Sequence, residues 1–165
     1  MSTEPKPRRI AMTTRRNHLA GLGLGLVAGA LAAPAPARAR STVELVARRR
    51  LITLPDLPAP GLTYVATFDL TGPAGAAAGA AAAFTSIVDV TLDGPVILSQ
   101  VVLQLADGEI HYQRMIDRFG AYPRAAVGAI LGGTGVYAIA RGDVQVIWPD
   151  QDTIKIALNL VEPSR

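Results

Sequence analysis

The stretch Gly128–Val146, reading GAILGGTGVYAIARGDVQV, restricts the fold more than any other part of the chain. An apolar run ends in Gly132-Gly133-Thr134-Gly135, and a second run starts at Val136 and carries Ala140-Arg141-Gly142 inside it. Glycine loses more conformational freedom on folding than any other residue. Three glycines in four positions therefore mark a place where a Cβ would clash or φ must be positive. The simplest geometry with that need is a corner between two strands of a closed sheet. A phosphate loop fits less well, because the block lacks the Lys-Ser/Thr end of a P-loop and leads into a strand-like segment rather than a helix.

The flanking chain has strand periodicity. Leu62 to Thr71 alternates, with Leu62, Tyr64, Ala66, Phe68 and Leu70 on one face and Thr63, Val65, Thr67, Asp69 and Thr71 on the other. That is the pattern of a half-buried strand. Thr42–Leu54 reads as a first strand, closed by Pro55, Pro58, Pro60 and Gly61. Gly72–Ala83 is Ala/Gly-rich; it reads as a loop that enters a strand at about Ala80, running to Thr91. Asp93-Gly94-Pro95 is a turn, and Val96–Ala106 is rich in Val and Ile. Asp107-Gly108 joins that run to Glu109–Ile116, and an Asp-Gly pair between two β-like runs predicts a hairpin. Ala125–Leu131, Val136–Trp148 and Thr153–Val161 complete about eight strands, the spacing of an all-β barrel or sandwich. Closure removes exposed edges and favours the barrel. A barrel of about eight strands has a filled interior or one small-ligand cavity.

Charge and residue inventory exclude several functions. The chain has 16 Lys/Arg and 13 Asp/Glu over 165 residues, a net +3. Six of the basic residues and only one acid, Glu4, fall in residues 1–39, so residues 40–165 keep ten basic and twelve acidic side chains. The remainder is mildly acidic and has no basic footprint for nucleic acid. Without cysteine there is no disulfide framework, thiolate nucleophile or Cys-based metal site. His111 is the only histidine after residue 39, which argues against a zinc centre or a His-based triad.

Residues 1–39 read as an export signal and 40–165 as the barrel domain. Arg15-Arg16 precede an uncharged Leu19–Ala33 run, then Pro34, Pro36 and Ala37-Arg38-Ala39. The paired arginines point to the twin-arginine route. An apolar run of about 15 residues is shorter than the roughly 20 that span a bilayer, so no membrane association is expected after cleavage. Met12 would serve as an alternative start. Gly21-x-Gly23-x-Gly25 is no dinucleotide loop, since no strand precedes it.

AILGGTGVY followed by Ala140-Arg141-Gly142-Asp143-Val144, with Asp107-Gly108-Glu109-Ile110 upstream, resembles the allene oxide cyclase-like barrels, a superfamily shared with plant dirigent proteins. The resemblance is specific from about Gly94 to Val146. It implies a single eight-stranded antiparallel barrel of calycin type, with an apolar cavity and often trimeric. It also implies a chemistry sparing in side chains: closure of a reactive fatty-acid epoxide with a first-strand glutamate and a water, or steering of phenolic intermediates with cavity acids and arginines. Glu44 stands where the first-strand acid would fall.

The candidate catalytic residues are Glu44 and Arg141. In an apolar lumen Glu44 would have a raised pKa and act as acid or base near neutrality. Strand parity instead groups it with Arg48 and Arg50, opposite Val43, Leu45 and Ala47, as a solvent-facing glutamate. Arg141 would hold a carboxylate or a developing oxyanion, or else form a structural salt bridge. Tyr64, Phe84, Tyr112 and Tyr137 are the candidate substrate contacts, with Phe68 and Trp148 as further aromatics and plain core as the alternative. The run Arg48-Arg49-Arg50 reads as a solvated strand end or a mouth for an anionic substrate. His111, between Glu109 and Gln113, reads as an exposed histidine near a hairpin.

The leading expectation is a cofactor-independent, metal-free cyclase or isomerase that folds a hydrophobic or phenolic small molecule in the barrel. The alternatives are a non-catalytic dirigent-type or lipocalin-like binding protein, or a structural barrel with a filled interior. Fold alone does not separate them.

Overall fold

Side chains that alternate between faces let a sheet bury one face completely, provided it closes on itself. The computed structural model describes residues 40–117 and 120–161, and the expected leader lies outside the described residues. Eight strands form a closed barrel in chain order: β1 Arg40–Ile52, β2 Thr63–Thr71, β3 Ala77–Thr91, β4 Gly94–Leu105, β5 Gly108–Asp117, β6 Arg124–Gly133, β7 Arg141–Trp148 and β8 Thr153–Val161. Every neighbouring pair is antiparallel, and β1 closes on β8 from Arg40↔Val161 to Arg48↔Thr153. The expected eight-stranded all-β barrel is the fold.

The inward faces are the apolar faces of the sequence pattern. Leu45 and Ala47, then Ala66, Phe68 and Leu70, meet Val101, Leu103, Ile110, Val144, Val146, Ile156 and Leu158 in one continuous core. A smaller cluster of Tyr64, Ile87 and Ile97 lies towards one end, packed by Ile52 and Ile116.

Two boundaries differ from the pattern by three residues or more. Strand β3 begins at Ala77, ahead of the expected Ala80. Weak local propensity is overridden there by pairing on both sides, Leu70↔Gly79 and Gly79↔Leu105. The strand expected from Val136 begins only at Arg141, because Gly135–Tyr137 forms a 3-10 turn. The Ala138 and Ala140 amides donate to the Gly135 and Tyr137 carbonyls at 3.2 and 2.9 Å, which takes them out of any ladder.

The glycine block is the expected corner, and it docks on the β4–β5 hairpin. Thr134 N–H donates to the Glu109 carbonyl at 2.9 Å, and Glu109 N–H donates to Thr134 Oγ1 at 3.0 Å. Gly135 has φ +58°, and a Cβ on it would run into the Asp107 carbonyl oxygen. Gly142, at φ +142°, meets the Asn159 carbonyl in the same way. Both positions thus need glycine for conformation and for close backbone approach.

Candidate functional site

The strand ends sort the lumen into two halves. The glycine corner, the start of β5, the end of β8 and the 3-10 turn lie at one end. At the other end meet the late residues of β1, β3, β5 and β7 and the early residues of β2, β4, β6 and β8. The cavity lies at this second end, lined by Phe68, Thr85, Ser99, Arg114, Trp148 and Ile154 among others. Its enclosed space is about 80 Å³, and the cleft counted out to open solvent is about 600 Å³.

Arg114 is the unusual side chain of this half. On β5, Ile110, Tyr112, Arg114 and Ile116 share a face, so the arginine points inward with its apolar neighbours and is only 8% exposed. Its Nη1 donates to the Tyr112 hydroxyl at 2.9 Å. The guanidinium carbon lies 4.6 Å from the Trp148 ring centroid and 5.6 Å from that of Tyr112. Its Nε is buried without a hydrogen-bond partner, and among the described residues no carboxylate pairs with it.

Magnitudes separate a structural from a functional role. A charge taken out of water costs several kcal/mol unless it is paired. A desolvated cation–π contact offsets about 2 kcal/mol, and a hydrogen bond about 1 kcal/mol net. The aromatic cradle therefore orients Arg114 without fully compensating it, and the unfilled Nε is the part left over.

The backbone supports this placement. Paired register between β5 and β6 ends at Gln113↔Ala129, beyond which β5 pairs only with β4 and β6 only with β7. Arg114 is the first residue past that point. Gly128 faces it across the seam; a Cβ there would stand 3.0 Å from Arg114 Cβ.

Around Arg114 the lining is amphipathic. Thr85 Oγ1 and Ser99 Oγ are buried and share one hydrogen bond at 3.0 Å. Arg49 also lines the cavity, because it shares the parity of Leu45 and Ala47, and a register shift between Arg49 and Leu51 then brings Ile52 inward. Arg49 is held by Asp152, 3.6 Å away. At the entrance the Arg124 guanidinium stacks 4.2 Å from the Tyr122 ring and donates from Nε to the Gly120 carbonyl at 2.7 Å. Beside the rim, Asp150 Oδ1 accepts from the Asp152 and Thr153 amides at 2.8 and 2.7 Å. Those donors, the Asp152 amide above all, hold the Asp150 carboxyl below the usual carboxylate range. Among the described residues no three His, Asp or Glu side chains converge to hold a metal ion.

The residues singled out from sequence are dispersed. Tyr64 and Tyr112 face the interior, and Tyr64 lines the cavity. Phe84 lies on the outer face, 49% exposed. Glu44 is also exposed on the outer face, as its parity with Arg48 and Arg50 implies. Arg141 is exposed at the glycine-corner end, where its Nη1 donates to the Ala140 carbonyl at 2.7 Å. Tyr137 packs on the core at that same end. The structure therefore does not bring Glu44, Arg141, Phe84 or Tyr137 to the cavity. His111 lies on the outer face, 3.2 Å from Glu109. The residue that sequence reasoning missed is Arg114, for which the signal was parity, a cation in register with an apolar face; Arg49, from the run read as a solvated strand end or a mouth for an anionic substrate, lines the cavity.

In sequence the chain matches no protein-family model and no curated protein. In structure it is similar to a pyocyanin demethylase, with a TM-score of 0.61 and 23% identity over 73% of this chain and 100% of the other. It is similar to a nonspecific heme-binding cyclase that catalyses a [4 + 2] cycloaddition in neoabyssomicin biosynthesis (TM-score 0.61, 18% identity, 76% of this chain and 68% of the other). A third similar structure is AbnU, an exo-specific intermolecular Diels-Alderase (TM-score 0.58, 16% identity, 74% and 98%). At these identities the likeness establishes the fold, a barrel shared with proteins described as cyclases.

Proposed function

We propose that this protein is a small-molecule cyclase or isomerase of the allene oxide cyclase-like and dirigent-like kind, working without a cofactor on an apolar or phenolic metabolite. The observation that carries the reading is Arg114, a buried cation with an unfilled donor in an aromatic lumen. A barrel wall that admits one folded conformer of a flexible chain removes much of the entropy barrier to ring closure. A fixed guanidinium beside the reacting π system stabilises negative charge developing on a conjugated oxygen. Such a rearrangement exchanges π bonds for σ bonds within the substrate, so atoms and electrons balance without a co-reactant. The structural neighbours described as cyclases support the same class. We place the protein outside the cytoplasm, exported by the twin-arginine route, on the strength of residues 1–39.

The enclosed cavity is smaller than the few hundred Å³ typical of ligand sites, so a metabolite would occupy the cleft as well as the lumen. This small volume favours, as a second reading, a dirigent-type carrier that holds only part of its ligand. Native mass spectrometry of the protein from its own host identifies a retained molecule, which is then incubated with wild type and with Arg114→Met. A product of unchanged mass and altered chromatographic retention, formed on the order of 100-fold more slowly by the variant, is the expected result. Return of the molecule unaltered by the wild type removes the enzyme and leaves the carrier.

A further inference from the structure

Two neighbouring segments at the cavity end hold apolar side chains out to solvent, and we infer that they dock the barrel on a zwitterionic lipid surface. Leu54, Leu57 and Leu62 come from the β1–β2 loop, and Val88, Val90 and Leu92 from the β3–β4 hairpin. Leu57 is 83% exposed and Leu92 fully exposed.

Both segments are held in place. Pro55, Pro58 and Pro60 fix φ at three positions of the loop. Gly61 N–H donates to the Ile87 carbonyl and Ile87 N–H to the Leu62 carbonyl, both at 2.8 Å, which ties the loop to the base of the hairpin. Strand β3 pairs with β2 no further than Ser86, and β4 pairs with β5 no further than Val96. The two strands go on pairing with each other to Thr91↔Gly94. The hairpin thus stands beyond the barrel wall as a two-stranded arm, braced at its tip where Thr91 Oγ1 donates to the Gly94 carbonyl at 2.9 Å. Such an arm has little stability of its own, and clustered apolar side chains on it mark a contact surface. Segments already ordered lose little freedom on docking.

Charge and shape select the occupant. Residues 53–62 and 88–96 contain Asp56, Asp89 and Asp93 and no lysine or arginine. Nearby, Arg49 and Arg50 are taken up by Asp152 and Asp69. A two-fold contact with a second copy would set the three carboxylates against their own counterparts. An anionic bilayer would repel them as well. The ammonium groups of a zwitterionic phospholipid complement them, while the leucine tips reach the acyl boundary. Projecting tips suit a deformable interface, whereas a protein partner needs packing fitted around each. Docking of this kind is peripheral and needs no spanning run, so the shortness of Leu19–Ala33 does not bear on it. On the reading of the lumen as a ligand site, the cleft lined by Ile52, Ile97 and Tyr122 opens at this same end, and an apolar molecule would pass to it from the bilayer.

The chain has no cysteine, so one introduced thiol is labelled uniquely. A polarity-sensitive nitrobenzoxadiazole dye is attached to Leu92→Cys and, in a second protein, to Val136→Cys at the opposite end. Both carry the same N-terminus, so residues 1–39 contribute equally. Each is titrated with phosphatidylcholine vesicles and with phosphatidylglycerol vesicles. The expected result on phosphatidylcholine is a blue-shifted emission at least about twofold brighter at position 92, with no change at 136. On phosphatidylglycerol the half-saturating lipid concentration rises at least about threefold. Co-sedimentation of the double variant Leu57→Ser, Leu92→Ser with phosphatidylcholine falls at least about tenfold, at an unchanged Tm because both side chains are exposed. The dye measurement stands even where that variant is destabilised. No response at 92, an equal response at 136, phosphatidylglycerol bound as tightly as phosphatidylcholine, or wild-type co-sedimentation by the double variant each overturns the inference. Self-association in sedimentation velocity that the double variant abolishes, without any vesicle response, overturns it in favour of an interface between copies. No readout uses turnover, so this inference and the cyclase reading fail separately.

Discussion

The two ends of the barrel solve opposite problems. At the glycine-corner end, backbone packs against backbone: Gly135 and Gly142 sit where carbonyl oxygens of Asp107 and Asn159 leave no space for a Cβ. The polar groups there are paired, as in the reciprocal bonds of Thr134 and Glu109. At the cavity end, side chains replace backbone as the filling, and one of them, Arg114, keeps a donor unfilled in the interior. The contrast teaches that the segment most distinctive in sequence is the one that closes the barrel. The segment with chemical potential, the Tyr112–Ile116 face of β5, is inconspicuous along the chain. Both ends share strand β5, whose pairing with β6 runs from Ile110 to Gln113, with a register shift between His111 and Tyr112, and stops one residue before Arg114.

Substitution at the closed end should have the largest effect on stability. Gly142→Ala places a Cβ against the Asn159 carbonyl at a positive φ, and should cost about 3 kcal/mol. Urea unfolding measures this loss, and turnover of the retained molecule by the remaining folded protein should be unchanged. A stability within 0.5 kcal/mol of wild type, roughly the scatter of neutral surface changes, would remove the closed end as the structural anchor.

At the cavity end the Thr85–Ser99 pair tests whether the lumen is built for packing or for contact with a ligand. Thr85→Val alone leaves the Ser99 hydroxyl buried without its partner and should cost about 1–2 kcal/mol. The double variant Thr85→Val, Ser99→Ala should recover most of that loss, because both polar groups are gone. If the double variant retains the host molecule normally, the pair is packing; weaker retention would add it to the ligand contacts.

A smaller effect is expected from Asp150 on the rim. Its folded-state pKa is depressed, so its bonds to the Asp152 and Thr153 amides contribute stability that is fully present above the unfolded-state pKa. That contribution is lost as pH falls through the lower, folded-state value. Asp150→Ala should therefore be less stable than wild type at pH 7, with the two melting curves converging in strong acid. A gap that persists below the folded-state pKa would mean that the turn is held by something other than the carboxylate.

The smallest effects are expected at the residues that look most chemical in the sequence. Glu44→Gln and Arg141→Gln alter exposed side chains away from the cavity and should shift stability by less than about 0.5 kcal/mol. Neither should change the rate at which the retained molecule is converted. A tenfold loss in either variant would move the functional centre to the outer face or to the glycine corner.

Much of this molecule is legible along the chain because its determinants are local. Period-two alternation in Leu62–Thr71 and Thr153–Val161 places inward and outward faces, and Asp107-Gly108 sets a hairpin, with no knowledge of distant residues. The outward position of Glu44 follows from the same parity. The Val136–Ala140 segment departs from its pattern because its hydropathy suits a strand, while the hydrogen bonds of its amides close a 3-10 turn.

The all-β architecture, the Asp107-Gly108 hairpin and the corner follow from the chain alone, since each depends on the conformational limits of a few adjacent residues. Only the tertiary structure decided where the chemistry lies. An inward arginine on β5 acquires meaning from Trp148 on β7, which reaches it across β6 inside the barrel, and from the absence of any described carboxylate within reach. Whether a buried charge is paired depends on every strand around the lumen, and the barrel brings those strands together from across the whole domain.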